Sequence, residues 1–562
     1  MKLFDNNSVQ RQIQDPHTKS LLDKTIKFFR DKGLEQIKKD DSEGVWYEDF
    51  LNFIKENKVF YHFLGAPLQG ESDEESRFDM WQNSEMNELL GYYGLCYWYC
   101  WQVSILGLGP IWMSKNEKVK SRAKALLKEG GVFAYGLSEK DHGADIYSTE
   151  MKLFPQKDGT YHALGKKYYI GNGNCAALIS VFGKIDGSDE FVFFVVSSNH
   201  KNYQCLKKIN TSGVRQAFVS EFSLENYPIT EDDILCRGKE AFSTALNTVN
   251  VGKFQLGFAS IGIATHALHE SIQHASSRIL YGKPVTDFVH VRKLFIESYC
   301  RLTAMKLYGQ RACDYLRHAS QSDRRYLLFN SIMKMKVTSE GEKTVGKLHE
   351  IIAAKGFEQD TYFEMAIRDC PMLPKLEGTV HVNIALINKF LKNYFFSSQD
   401  YPEVPIADKP KHDQYLFEQD SRKMETTEFP DFLKVYQGIS TKQVKKFEDQ
   451  VKTFRQFLKD AGPSKDQQQN VDFMLSLGEM FSLAVYSQLI LENVKLLGID
   501  EGLTKGIYNV LIKDFAHYAL AMTLNFEVSK EQEEFLQKIL SCKPVFDDSE
   551  KMIWENHIAG LA

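Results

Sequence analysis

Paired cysteines are missing from this chain. Its nine cysteines (Cys96, Cys100, Cys175, Cys205, Cys236, Cys300, Cys313, Cys370 and Cys542) are odd in number and scattered, with no CxxC pair and no histidine beside them at ligand spacing. That pattern argues against a disulfide framework and a zinc module and fits reduced, mostly buried thiols in a cytoplasmic protein. No metal site is expected. An excess of positive charge is missing too. With 69 Lys and Arg against 74 Asp and Glu, the formal net charge is −5, so the chain as a whole offers no electrostatic case for binding a polyanion, and no nucleic acid partner is expected. The N-terminus, MKLFDNNSVQRQIQD, has no apolar run behind its basic residue and is not read as a secretory signal. Internal repeats and low-complexity tracts are also lacking. One stretch, LLGYYGLCYWYCWQVSILGLGPIW from Leu89, is long enough to cross a bilayer, but Gly91, Gly94, Gln102, Gly107, Gly109 and Pro110 interrupt it, and it reads as a buried helix running into a turn.

What is present is enough apolar residue, 43% of 562, to bury a large core in several domains. The pattern along the chain is α+β, mostly α. Residues 1–130 show helical periodicity with a break at 65–76, and 114–131 forms an amphipathic helix ended by glycines. From 131 to 237 the period changes to short alternating or apolar runs separated by Gly, Asp, Asn and Ser, which predicts a middle antiparallel sheet domain. Long helical patterns return over 238–396, including 291–318, 325–354 and 376–393. The segment 397–430, with Pro402, Pro405, Pro410 and Pro430 among many charges, reads as a linker or extended arm. Over 431–562, Val444, Phe447, Val451, Phe454 and Leu458 share one helix face, and a second helical bundle is expected.

Five motifs carry a resemblance. They are AYGLSEKDHGAD (134–145), LGKKYYIGNG (164–173), NVGKF (250–254), SRILYGKP (277–284) and AIRDCPMLPKLEGT (366–379). Individually weak, they fall in the order and spacing of the acyl-CoA dehydrogenase family, which the chain resembles over about 80–395. The C-terminal region resembles, in length and helicity, the extension of the larger, very-long-chain-type members. The resemblance implies an N-terminal helical domain, a middle β domain, a C-terminal four-helix bundle and an extra helical domain. It also implies FAD-dependent dehydrogenation of an acyl-CoA to a trans-2-enoyl-CoA in fatty-acid β-oxidation, acting on a medium-to-long acyl chain.

Under that resemblance Glu377 is the catalytic base. A carboxylate is a weak base in water, near pKa 4.3, and needs a water-poor setting such as LPKLEGT to act on so weak a carbon acid. The competing reading is a solvated surface glutamate. Some members carry the base on an earlier helix, where this chain has Gly252. The backbone N–H of Glu377 and a ribityl hydroxyl of FAD are implied as donors to the thioester oxygen, and Gly378 allows close approach to the cofactor. The implied cofactor contacts are Tyr135, Leu137, Ser138, Gly143, Ala144, Tyr169, Gly171, Arg278, Glu350 and Thr379. Ser138 matches the hydroxyl on the isoalloxazine, against a plain turn serine. Tyr169 matches the aromatic wall, against mere packing, and Arg278 matches the arginine that reaches the pyrophosphate of FAD held mainly by a neighbouring subunit. The implied substrate contacts are Ala144, Asn250, Lys253 and Gly378. Four departures stand out: Gly171 for Thr, Ala144 for Ser in the Gly-Ser-Asp turn that ends here at Asp145, Lys253 for Arg, and Glu350 with Ala353-Ala354 for Gln-x-x-Gly-Gly. Implied partners are an acyl-CoA, an electron-transfer flavoprotein, and further copies in a homodimer or homotetramer. Three alternatives stay open: an acyl-CoA oxidase, a DNA-binding alkylation-response flavoprotein using lysines of 434–459, and peripheral membrane contact through the C-terminal region.

Overall fold

The computed structural model describes residues 11–68, 70–72, 75–188, 190–419 and 426–561. The expected break at 65–76 and the expected linker at 397–430 fall partly on 69, 73–74 and 420–425, outside the described residues. The described chain forms two compact units. The first holds Gln12–Gln255 with 408–419, and the second holds Arg11, Leu256–Ala407 and 426–561. These units differ from the five segments read along the sequence. The N-terminal helices and the sheet belong to one unit, the C-terminal helices join the bundle, and the boundary falls inside the continuous helix Gly238–Ser277.

The first unit opens with Pro16–Lys32, where Asp15 caps the helix by accepting the His17 N–H and Pro16 stands at the first position. The apolar run from Leu89 is two helices, Met80–Tyr93 and Leu95–Met113, parted at Gly94. The second helix continues through Pro110 and ends at Met113, with Ser114 as its cap. Gly107 permits contact with the sheet: a Cβ there would lie 2.7 Å from the Ala134 backbone.

Eight strands follow: β1 (Phe133–Gly136), β2 (Lys152–Pro155), β3 (Tyr161–Gly171), β4 (Leu178–Ile185), β5 (Phe191–Val196), β6 (Tyr203–Lys208), β7 (Val219–Ile229) and β8 (Ile234–Arg237). The sheet runs β6-β7-β3-β2-β4-β5-β8, with β1 on β4. It is mixed, which corrects the antiparallel expectation, because β1 and β2 both pair parallel to β4. They lie end to end on that strand, β1 against Leu178–Val181 and β2 against Lys184–Ile185. Residues 137–151 are therefore an excursion that leaves this edge of β4 and rejoins it. Strand periodicity encodes which face a side chain takes and leaves strand order open.

In the second unit, Val289–Arg317, Tyr326–Ile352 and the shorter Tyr362–Asp369, Val380–Asn388 and Leu391–Phe396 build the bundle. Lys442–Asp460, Val471–Leu497, Glu501–Asn525 and Lys530–Ser541 pack in the same unit. Helix Val471–Leu497 is long and apolar enough to cross a membrane, but 78% of its most apolar window is buried inside the protein. A buried ion cluster ties the C-terminal helices to the bundle. Arg301 bonds Glu297 at 2.9 Å, Glu340 at 2.5 Å and Asp514 at 2.8 Å, and Lys336 bonds Glu340 at 2.7 Å. The proline-containing arm is tied down at points in each unit. In the first unit Met80 N–H donates to Asp413 at 2.7 Å, and in the second Ala407 N–H donates to Asp314 at 2.9 Å. Several lysines of 434–459 are paired within the chain, Lys434 with Asp400 and both Lys445 and Lys452 with Glu448.

Candidate active site

In the first unit the excursion 137–151 is held by a buried ion pair that sequence reading missed. Lys167 on β3 is 0% exposed, and its Nζ donates to Glu139 Oε1 at 2.7 Å, to the Leu137 carbonyl at 3.0 Å and to Thr149 Oγ1 at 3.2 Å. Glu139 also accepts from Thr149 Oγ1 at 2.6 Å and from the N–H groups of Glu150 and Met151 at 2.8 and 3.2 Å. Burial pushes Lys167 down to about 8 against the pull of Glu139. Burial acts to raise Glu139, yet the Lys167 charge and the hydrogen bonds hold its carboxyl below the usual range. Both ends of the excursion are thus tied to one side chain. The signal was present as the lysine of LGKKYYIGNG and the glutamate of SEKDHGAD, but nothing in a sequence joins residues 28 apart. Among the described residues Glu139, His142 and Glu150 bring potential ligand atoms within 4.8 Å of one another, with the Glu139 oxygens engaged as above.

This arrangement sets Ser138 against Tyr168, the residue before Tyr169. The Ser138 carbonyl accepts the Tyr168 N–H at 2.9 Å, and among the described residues its half-buried hydroxyl makes no hydrogen bond. Tyr169 sits at a register shift of β3 in the left-handed region, φ 63°, with its ring 60% exposed. A non-glycine residue there carries strain, and an exposed aromatic adds unburied apolar area. Tyr135 is buried on β1, its hydroxyl donating to Ala245 O at 3.2 Å, so it supports the start of the excursion from within. Leu137 lends its carbonyl to Lys167. Gly143 and Ala144 are exposed on the excursion, and a Cβ at Gly143 would meet nothing within 4 Å.

Gly171 lies against helix Leu95–Met113. A Cβ there would lie 2.7 Å from both Tyr99 and Val103, so helix Leu95–Met113 fills the space a threonine would need. The following Asn172 turns the strand inward, its Nδ2 donating to Phe133 O at 3.0 Å and Cys100 O at 3.2 Å. Asn250 and Lys253, on helix Gly238–Ser277, are 8% and 6% exposed, and Asn250 Nδ2 donates to Gln419 Oε1 at 3.0 Å.

In the second unit Glu377 lies in a turn. Helix was expected over 376–393, but it begins at Val380, where Thr379 caps it by accepting the Val382 N–H. Glu377 and Gly378 both have positive φ, 52° and 88°, and the Gly378 carbonyl accepts from Asn383 Nδ2 at 3.1 Å. The left-handed pair stops the chain from extending the helix backwards, and Glu377, half-buried, has its Oε2 withdrawn from solvent. Upstream, Arg368 bonds Glu364 at 3.1 Å and Asp369 at 3.0 Å, which accounts for the Arg-Asp of the motif as support for the segment.

Arg278 is exposed at the end of Gly238–Ser277, where its main chain joins the hairpin Ile279–Leu280 and Lys283–Pro284. Among the described residues no carboxylate pairs with its guanidinium, which leaves the planar fork open. Glu350 is exposed on Thr338–Ile352. Ala353 ends that helix at φ 57°, ψ −143°, a region that glycine almost alone adopts. The backbone keeps the shape of a glycine although the side chain has changed.

Residues 134–227 match the acyl-CoA dehydrogenase middle domain, and residues 241–392 match the acyl-CoA dehydrogenase C-terminal domain. The chain is 22% identical over 280 residues to the short-chain-specific acyl-CoA dehydrogenase of Megasphaera elsdenii, covering 49% of this chain and 72% of that one. It is 23% identical over 311 residues to a caffeyl-CoA reductase-Etf complex subunit of Acetobacterium woodii, covering 54% and 80%. The crystal structure of an acyl-CoA dehydrogenase complexed with FAD from Bacillus anthracis superposes on 100% of this chain and 99% of its own, with a TM-score of 0.73 at 17% identity, a likeness of fold that takes in the C-terminal helices. The two domain matches, in order along the chain, and these relatives support the acyl-CoA dehydrogenase family and an oxidoreductase activity for this chain.

Proposed function

We propose that the protein dehydrogenates an acyl-CoA thioester between its α and β carbons to a trans-2-enoyl-CoA, with FAD as cofactor. The observation that carries this reading is Glu377 in its left-handed turn ahead of a capped helix. The residues toward FAD fit it. An open serine hydroxyl beside an exposed, strained aromatic suits the edge and face of a flat polar ring, and an unpaired-by-carboxylate arginine fork suits a pyrophosphate. At the adenosine end Glu350 and Ala354 depart from the usual amide and glycine, and affinity is expected to be lower there. Bound FAD supplies the acceptor for the β-hydride. The chain's own part is to hold the thioester, keep water from the carboxylate and take the α-proton on Glu377.

The test is anaerobic addition of short-, medium- and long-chain acyl-CoAs to FAD-loaded protein. Bleaching of the flavin is expected with a medium-to-long chain, and a flavin that stays oxidised with the whole panel defeats the reading. Glu377→Gln should retain the flavin and lose reduction by roughly 10²- to 10⁴-fold. The relative from an Etf complex supports an electron-transfer flavoprotein as electron acceptor. Hydrogen peroxide formed in step with substrate would assign an oxidase instead. We place the enzyme in fatty-acid β-oxidation in the cytoplasm, as a homodimer or homotetramer in which Arg278 serves a neighbouring copy. Light scattering checks the assembly and liposome flotation checks membrane contact.

A further inference from the structure

The helix Tyr326–Ile352 is broken in its middle by a π segment, Met333–Val337, and the extra residue has a visible consequence. It buries two lysines pointing to different neighbours. Lys336 bonds Glu340 at 2.7 Å, whereas Lys334, 0% exposed, donates to the Pro374 carbonyl at 2.5 Å. Pro374 is itself buried, three residues before Glu377. The segment is clamped as well: Thr338 Oγ1 donates to the Lys334 carbonyl at 2.5 Å and Ser339 Oγ to the Met335 carbonyl at 2.7 Å, which satisfies main-chain oxygens loosened by π geometry. Met333 packs where a Cβ at Gly257 would lie 2.4 Å from its methyl, so two helices close around the segment. A π segment in a buried helix persists when surrounding contacts over-determine it, and such segments concentrate at functional sites.

We propose that Lys334 is a positioning residue for the base: through the Pro374 carbonyl it fixes the turn that presents Glu377. The inference rests on the reading of Glu377 as the base. The turn's own bonds are local, from the Lys375 and Leu376 N–H groups to the Met372 carbonyl and from Asn383 Nδ2 to the Gly378 carbonyl, and the buried ammonium on the entering Pro374 carbonyl adds a tie to the π segment of a different helix.

The test combines a structural and a kinetic measurement on the FAD-loaded enzyme. In Lys334→Met, amide hydrogen exchange over 375–379 should rise by at least about tenfold above any change elsewhere. The rate of flavin reduction should fall roughly 10- to 100-fold, with the acyl-CoA dissociation constant changed by no more than about threefold. Added to Glu377→Gln, Lys334→Met should cost less than about twofold further, because both act on one step. Thr338→Val, which loosens the clamp and keeps the lysine, should show the same pattern at smaller size if Lys334→Met folds poorly. Unchanged exchange at 375–379 in both variants overturns the proposal, and so do losses that simply multiply with Glu377→Gln. The exchange measurement decides even in a protein that no acyl-CoA reduces, so failure of the reaction assignment is told apart from failure of this proposal.

Discussion

Lys167 and Lys336 are both withdrawn from water, at 0% and 2% exposure, yet their surroundings move them in opposite directions. Burial lowers Lys167 to about 8, where, among the described residues, Glu139 is the one carboxylate in contact. Burial also acts against Lys336, but Glu340, Asp514 and Glu479 together raise it above the ordinary lysine range. Carboxylates outweigh burial to raise Arg301, and cations hold Glu340 well below the usual carboxylate range. In the first unit, burial dominates at His62 and lowers it to about 4. The bundle and its C-terminal helices therefore bury ions as a saturated cluster, while the excursion carrying Ser138 hangs on a single pair. One cluster resists titration; the pair sits within reach of alkaline pH.

The comparison can be broken most forcefully at Arg301. Arg301→Met leaves Glu297, Glu340 and Asp514 facing one another without their shared cation and should cost roughly 3–5 kcal/mol in urea denaturation. Lys167→Met strands only Glu139 and should cost about 3 kcal/mol, most of it restored when Glu139→Gln is added, since an absent buried pair is cheaper than half of one. Acid unfolding sharpens the contrast through His62. Its folded value lies below its unfolded one, so the unfolded chain binds the proton first and stability falls as pH drops from about 6.5 to about 4, by roughly 3 kcal/mol that His62→Gln should abolish. Direct titration of the lysine carbons by NMR should show Lys167 losing its proton near pH 8 while Lys336 keeps its own beyond the ordinary lysine range. The smallest effect concerns backbone alone. Ala353→Gly should stabilise by about 1 kcal/mol by relieving a conformation that suits glycine.

Much of the architecture was legible where a single period or a single residue type decides it. The sheet expected over 131–237 runs from Phe133 to Arg237, and the helices expected over 291–318 and 325–354 run over Val289–Arg317 and Tyr326–Ile352. What escaped depends on contacts distant in sequence. The parallel pairing of β1 and β2 with β4, the Glu139–Lys167 pair and the π segment leave no local periodic trace. Glu377 was assigned to a helix because 376–393 is apolar enough to continue one, whereas the Gly-Thr pair after it is the cap and marks the true start. That Gly171 stands where relatives carry Thr was legible, but not that the ring of Tyr99 fills the space a threonine would need.

Because β1 and β2 share one edge of β4, the stretch between them departs from a rail and lands back on the same rail. Lengthening or shortening it leaves every hydrogen-bonded register in the sheet untouched. Loop exchange over 140–148, which keeps Leu137, Glu139 and Thr149 for Lys167, would therefore be a way to vary the residues carried at this edge by grafting, with the β scaffold serving as a fixed socket.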